Sequence, residues 1–108
     1  MARRLKKVHV VPDYKAVGYE AFVRALYRAL RGISEGHRGT VFTVAPGKLH
    51  HATATQMLIA DVIRRVNLKA DGRLIVMEKR GINRRTTFTL NRAFFLSLTE
   101  DQWVELAK

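Results

Sequence analysis

The apolar residues in the first third of the chain recur with the period of an α-helix. Their spacing of i, i+3, i+4, i+7, i+11 and i+14 lines one helix face with Tyr19, Phe22, Val23, Leu26, Leu30 and Ile33. Asp13 is a favourable N-cap residue, and Gly32 and Gly36 suit the end of a helix. The pattern predicts a long first helix with a buried stripe. The other side of this helix carries Arg24, Arg28 and Arg31. We interpret it as a solvated face, and the alternative is a binding site.

A second helical stripe lies in the middle of the chain and consists of Ile59, Val62, Ile63 and Val66. The stripe follows Thr53-Ala54-Thr55-Gln56, whose T-x-x-Q spacing is typical of a capping box. We therefore predict a helix over 53–66, preceded by a short helical turn over 47–52 that Pro46 opens. At 100° per residue, the side turned away from the stripe carries Thr53, Met57, Asp61 and Arg64.

Four short β-prone runs complete the pattern, at 8–11, 39–44, 74–77 and 86–90. The last two enclose a segment in which Gly81 and Asn83 are typical turn residues, so we predict a β-hairpin. Its tip carries four cations, Lys79, Arg80, Arg84 and Arg85. Only Glu78 offsets them, so we favour phosphate contact over a merely solvated turn.

Both ends of the chain add a further feature. A second T-x-x-Q pattern begins at Thr99 and predicts a short final helix, which Trp103 and Leu106 would dock on the body. Residues 1–7 form a basic arm with Arg3, Arg4, Lys6 and Lys7. We therefore divide the chain into this arm, one domain over 8–98, and a C-terminal helix over 99–108 packed on the same domain.

The charge balance indicates the kind of partner. Lys and Arg number 20 against 9 Asp and Glu, and the formal net charge is +11. An excess of this size repels itself in a compact chain and favours an anionic partner. Arginine outnumbers lysine by 13 to 7, and arginine binds phosphate through two parallel hydrogen bonds. We therefore expect a nucleic acid as the partner, rather than a membrane surface or another polyanion.

Several classes of function are excluded or disfavoured. The absence of cysteine excludes disulfides, cysteine zinc sites and iron–sulfur clusters. His50 and His51 are adjacent and diverge by about 100° on a helix, so we expect no metal site. No Gly-rich phosphate loop is present, and we expect a non-enzymatic protein without a cofactor. No apolar stretch is long enough to span a membrane, and we expect a cytoplasmic protein associated with the nucleoid or with ribonucleoprotein.

The order of helix, strand, short helix, capped helix and basic hairpin resembles the winged helix-turn-helix family of nucleic-acid-binding proteins, over about residues 14–90. The resemblance implies a small α+β domain, in which helices pack on a short antiparallel sheet and the hairpin forms a wing. It also implies that helix 53–66 enters the major groove of duplex DNA while the wing, 79–85, contacts flanking phosphates. A role in transcription regulation or a chromatin-like role would follow from such binding.

The candidate nucleic-acid-binding residues belong to the arm, the second helix with the turn before it, and the hairpin. They are Arg3, Arg4, Lys6, Lys7, Lys48, Thr53, Gln56, Met57, Arg64, Lys79, Arg80, Arg84 and Arg85. Gln56 has an amide that can read adenine, whereas the alternative for Thr53 and Gln56 is that they only cap the helix. Arg64 and Arg65 lie one turn from the helix end and are better placed for backbone contact than for base reading.

Two other classes of function remain as alternatives. A structural RNA-binding protein, such as a small ribosomal or ribonucleoprotein component, would use the basic arm and the basic hairpin equally well. An interaction module would instead bind an acidic protein through its basic surface. A homodimer would then form through the apolar C-terminal segment, which contains Phe94, Phe95 and Trp103.

Overall fold

The structure, a computed structural model, describes residues 11–81 and 85–108. The predicted arm, residues 8–10 of the predicted first strand, and Arg84 lie outside these ranges. The helices are α1 (Tyr14–Val17), α2 (Tyr19–Glu35), α3 (Thr53–Lys69), α4 (Arg92–Ser97) and α5 (Glu100–Leu106). The strands are β1 (Val41–Val44), β2 (Ile75–Arg80) and β3 (Thr86–Asn91). The predicted α+β class, with helices on a short antiparallel sheet, is confirmed.

The first long helix is α2, and its apolar stripe is buried as predicted, including Phe22, Val23, Leu26 and Leu30. Asp13 caps the shorter α1, because its carboxylate accepts the Lys15 N–H at 3.0 Å. Gly18 separates the two helices with a φ of +84°, which glycine adopts without steric cost. The N-terminal part of the predicted helix is therefore a separate turn.

The second stripe provides the other half of the core. Its four predicted residues are all buried, Ile59, Val62, Ile63 and Val66. They join one apolar cluster with α2 and with four large aromatic side chains, Phe42, Phe88, Phe95 and Trp103. Helix α3 is longer than predicted, since it runs to Lys69 and ends where Asp71 and Gly72 both adopt positive φ. This packing determines which face of α3 stays exposed.

The three strands are antiparallel in the order β1-β3-β2. Phe42 and Val44 of β1 lie opposite Leu90 and Phe88 of β3, and all four side chains are buried. Along β2, by contrast, all residues from 76 to 80 are exposed. The predicted hairpin is therefore confirmed, and its outer half extends beyond the core.

Between β1 and α3 the chain forms a 3-10 turn at Pro46–Lys48, so the helix predicted over 47–52 was wrong beyond Lys48. Leu49 is buried, and its carbonyl accepts the Val11 N–H at 3.1 Å. This bond ties the segment to the chain that precedes α1. A segment with so few apolar side chains lacks the buried stripe that stabilises a helix in water.

The C-terminal helix begins as predicted. Thr99 Oγ1 accepts the Gln102 N–H, and Gln102 Oε1 accepts the Thr99 N–H, which completes the capping box of α5. Trp103 is fully buried, and so is Phe95 on α4, a helix that the pattern did not predict. These two rings lie in the chain's own core and are not available for the predicted homodimer contact, which stays a prediction.

Arg24 and Arg28 form ion pairs instead of the purely solvated face that was predicted. Both contact Glu100 at 3.0 Å, and Arg24 also contacts Asp101 at 2.9 Å. The hydrogen bond from Arg24 is the largest cause of the lowered pKa of the Glu100 carboxyl. These ion pairs hold α5 against α2.

Leu26→Ala tests the packing of α2. Leu26 is fully buried, so its truncation removes apolar contacts and leaves a cavity. We expect the free energy of unfolding in urea to fall by about 2–5 kcal/mol. Leu68→Ala is the matched control, because Leu68 is largely exposed on α3 and should change this free energy by less than about 0.5 kcal/mol. Similar losses for the two variants would show that the helix face is assigned wrongly.

Acid should weaken the contact between α2 and α5. Because the folded pKa of Glu100 is lowered, its ion pairs stabilise the fold above about pH 4.3 and lose this effect as the pH falls through the folded value. Glu100→Gln should therefore lower the melting temperature by a few degrees at neutral pH and leave it nearly unchanged at about pH 2. Thermal denaturation at the two pH values measures this, and equal losses would contradict it.

Candidate nucleic-acid interface

A groove of about 670 Å³ lies between α3, the 3-10 turn before it and the stem of the β2–β3 hairpin. Seven of the predicted binding residues line it, Lys48, Thr53, Gln56, Met57, Arg64, Arg80 and Arg85. Lys79 is exposed on β2 but does not line the groove. The other predicted residues lie outside the described ranges, namely Arg3, Arg4, Lys6, Lys7 and Arg84. The structure thus brings the outer face of the helix and the hairpin stem together.

Burial of the apolar stripe turns the opposite face of α3 toward the groove. The Met57 side chain is 63% exposed, although methionine is more often buried. Thr53 and Asp61 are exposed one helical turn to either side of it and line the same groove. This face therefore offers a hydroxyl, a thioether and a carboxylate, groups that can contact the edges of bases.

The capping box predicted at Thr53 and Gln56 was wrong. Ala52 is the N-cap residue with extended backbone, so Thr53 is already helical and makes no side-chain capping bond. Gln56 Nε2 instead donates to the carbonyl oxygens of His50 at 2.8 Å and His51 at 3.2 Å. Gln56 therefore holds the turn before α3. The reading of adenine by Gln56 stays a prediction, and its amide nitrogen is already engaged.

His50 and His51, which precede α3, stack on each other with ring centroids 4.8 Å apart. His50 Nδ1 accepts the Ala52 N–H at 3.0 Å, which satisfies a backbone donor at the start of the helix. The pair thus supports the turn that Gln56 also holds. In the part of the chain that the structure describes, no group of three or more His, Asp or Glu side chains could hold a metal ion.

Arg64 forms an ion pair between α3 and the hairpin. Its Nη2 lies 2.7 Å from Glu78 Oε2, and its Nη1 lies 3.5 Å from Asp61 Oδ1. The guanidinium also lies over the ring of Phe88, 5.5 Å from the centroid. The hydrogen bond from Arg64 is the main cause of the lowered pKa of Glu78. Backbone contact by Arg64 stays a prediction, but this cation already has carboxylate partners.

The other three cations of the groove differ from Arg64. Among the described residues, Lys48, Arg80 and Arg85 form no salt bridge. Lys48 ends the 3-10 turn, Arg80 ends β2, and Arg85 immediately precedes β3. The Gly81 N–H donates to the Arg85 carbonyl at 2.6 Å, which closes the hairpin stem at this point. The turn and the hairpin therefore each contribute cations without a salt-bridge partner to the lining of the groove.

Sequence reasoning found the cations of the groove but missed the pairing of Arg64 with Glu78. The i, i+3 spacing of Asp61 and Arg64 is a visible signal for the weaker contact. The stronger contact depends on the strand register that places Glu78 beside the helix, and no local spacing encodes it.

Comparison of the chain with protein-family models, with curated proteins and with solved structures returned no match. Across 11–81 and 85–108, no helix combines the length and the apolar character needed to cross a membrane.

Separate substitutions of Thr53 and Gln56 test how α3 begins. Gln56→Ala removes both hydrogen bonds to the preceding turn, and we expect the free energy of unfolding to fall by about 1–2 kcal/mol. Thr53→Ala should cost less than about 0.5 kcal/mol, because its side chain caps nothing. Urea denaturation measures both values. A capping role for Thr53 would instead show as a loss of about 1 kcal/mol in Thr53→Ala.

Proposed function

We propose that this chain is a non-enzymatic, cytoplasmic nucleic-acid-binding protein that holds duplex DNA against α3 and the β2–β3 hairpin. The observation that carries the proposal is the placement of Lys48, Arg80 and Arg85 around the exposed face of α3. A DNA-binding role in transcription regulation, or a chromatin-like role at the nucleoid, is consistent with this surface.

The charges of the groove suit a phosphate backbone. Cations without carboxylate partners provide the sequence-independent part of DNA binding, because they replace the counterions condensed on the phosphates. Lys48 lies before the helix and the two arginines lie on the hairpin, so phosphates on either side of an inserted helix would meet positive charge. The net charge of +11 would speed association with such a partner.

The exposed face of α3 favours duplex DNA over RNA as the partner. The major groove of B-form DNA admits an α-helix, whereas the major groove of A-form RNA is too deep and narrow for side chains to read. Recognition helices contact base edges mainly through their N-terminal residues, and Thr53 and Met57 occupy the first two turns of α3. The observed order of α2, β1, a short turn, α3 and a hairpin also supports winged-helix-like docking.

A salt series tests this proposal. Fluorescence anisotropy would measure the affinity of the protein for a labelled mixed-sequence duplex DNA and for a structured RNA. If about six cations contact phosphates, log affinity for DNA should fall against log salt with a slope near −5. Replacement of Lys48, Arg80 and Arg85 by alanine should flatten that slope by roughly 2–3, since each phosphate contact contributes about 0.9.

The matched control replaces three cations that lie outside the groove, Lys15, Arg38 and Lys69. This variant has the same net charge as the groove variant and should flatten the slope by less than about 1. Equal flattening in the two variants would contradict binding in the groove. A wild-type slope flatter than about −2 would contradict the electrostatic proposal altogether, and tighter binding to RNA than to DNA would favour the structural RNA-binding alternative.

A further inference from the structure

The ion pair of Arg64, which lines the groove, with Glu78, which lies beside it, bears on how tightly the proposed interface binds DNA. We propose that the Glu78 carboxylate is an internal competitor for phosphate, which occupies Arg64 and so lowers the affinity of the groove for DNA of any sequence. This inference rests on the proposed function and assigns Glu78 as a residue that limits the affinity for DNA by acting through Arg64.

The contacts of Arg64 resemble those that an arginine makes with a phosphate. Its Nε lies 3.2 Å from both Glu78 oxygens, and its Nη2 lies 2.7 Å from one of them. Two adjacent nitrogens thus face one carboxylate, and arginine binds phosphate oxygens in the same forked geometry. While Glu78 holds this side of the guanidinium, a DNA phosphate cannot use it.

The fold holds Glu78 in the position that this competition requires. Glu78 of β2 lies opposite Phe88 of β3 in the strand register. The Arg64 guanidinium lies over the Phe88 ring, and that ring is fully buried in the core. Arg64 and Glu78 therefore form their ion pair over the buried Phe88 ring, where α3 contacts the hairpin stem.

The pair is accessible enough for exchange with a ligand. The side chains of Arg64 and Glu78 are 39% and 34% exposed. An ion pair at this exposure contributes little net stability, so a phosphate could replace the carboxylate at small cost. The pKa of the Glu78 carboxyl is lowered, and the competitor therefore keeps its charge at neutral pH.

A reason for such a device follows from the energetics of DNA binding. Every additional free cation at an interface strengthens the binding to all sequences equally, because phosphate contacts carry no sequence information. Specificity is a difference of affinities, so this shared contribution cancels from it, and Glu78 instead limits how tightly the chain holds DNA of any sequence. Asp61, on the exposed face of α3, lies 3.5 Å from Arg64 and adds a second carboxylate to the same effect.

Glu78→Gln tests the proposal directly, with binding to a labelled mixed-sequence duplex DNA as the readout. The variant keeps the size of the side chain and releases Arg64 from its charged partner. Wild type is measured first, and absence of salt-dependent DNA binding there would overturn the proposed function and this inference with it. If wild type binds, the variant should bind more tightly at low salt, with a slope steeper by about 0.9. Its advantage over wild type should therefore shrink by roughly 3- to 4-fold between about 50 and about 200 mM salt.

Three comparisons separate release of Arg64 from a general change of charge. Glu35→Gln is the matched control, because it removes one carboxylate that pairs with Arg31 on α2, away from the groove. Glu78→Gln in an Arg64→Ala background should have no effect on DNA affinity if Glu78 acts through Arg64. Glu78→Asp retains the charge but shortens the side chain, and it should give an intermediate increase.

If wild type binds DNA, the results for the variants either support or overturn the role of Glu78. An unchanged slope in Glu78→Gln would overturn the role of Glu78 while leaving the proposed function intact. An effect that persists in the Arg64→Ala background, or that Glu35→Gln reproduces, would show that only net charge matters and would also overturn the inference. Thermal denaturation of each variant confirms that the chain is folded, and Glu78→Asp supplies the test if loss of the charge prevents folding.

Discussion

Burial of the α3 stripe is the constraint on which the rest of the molecule depends. Ile59, Ile63 and Val66 lie in the same apolar cluster as α2 and the inner face of the sheet. A helix with one buried face turns its opposite face to the solvent, and for this reason Met57 and Asp61 are exposed. The groove therefore arises from core packing, because the helix that builds the core also forms one wall of the groove.

The second wall depends on strand register rather than on packing. Residues 86–90 of β3 each have one partner on β2, with an irregularity between Ile75 and Met77, and a shift by one residue would turn every side chain to the opposite face. Phe88 is buried in the core on this register, and its partner Glu78 contacts Arg64 beside the groove. Because the outer half of β2 is exposed on both faces, its cations reach beyond the apolar body.

The helical stripes, the hairpin and the final capping box could be predicted because each depends on periodicity or on neighbours close in sequence. The start of α3 could not be predicted, although Thr53 and Gln56 have the spacing of a cap. Whether a threonine caps a helix depends on where the chain leaves extended geometry, and here that residue is Ala52. The pairs of Arg24 and Arg64 were missed for a different reason, since Glu100 and Glu78 are distant in sequence and only the tertiary fold brings them close.

The distribution of ion pairs determines how much of the positive net charge is available at the groove. Among the described residues, seven of the nine carboxylates contact only five basic side chains, which are Arg24, Arg28, Arg31, Arg64 and Lys108. Three of these carboxylates, Glu78, Glu100 and Asp101, join different elements, and the other four pair with a cation three or four residues away. Arg80 forms no salt bridge among the described residues, but its charge helps to lower the pKa of the nearby Glu78 carboxyl. The lining of the groove contains four cations against one carboxylate, Asp61, which is a larger excess of positive charge than the composition of the chain alone indicates.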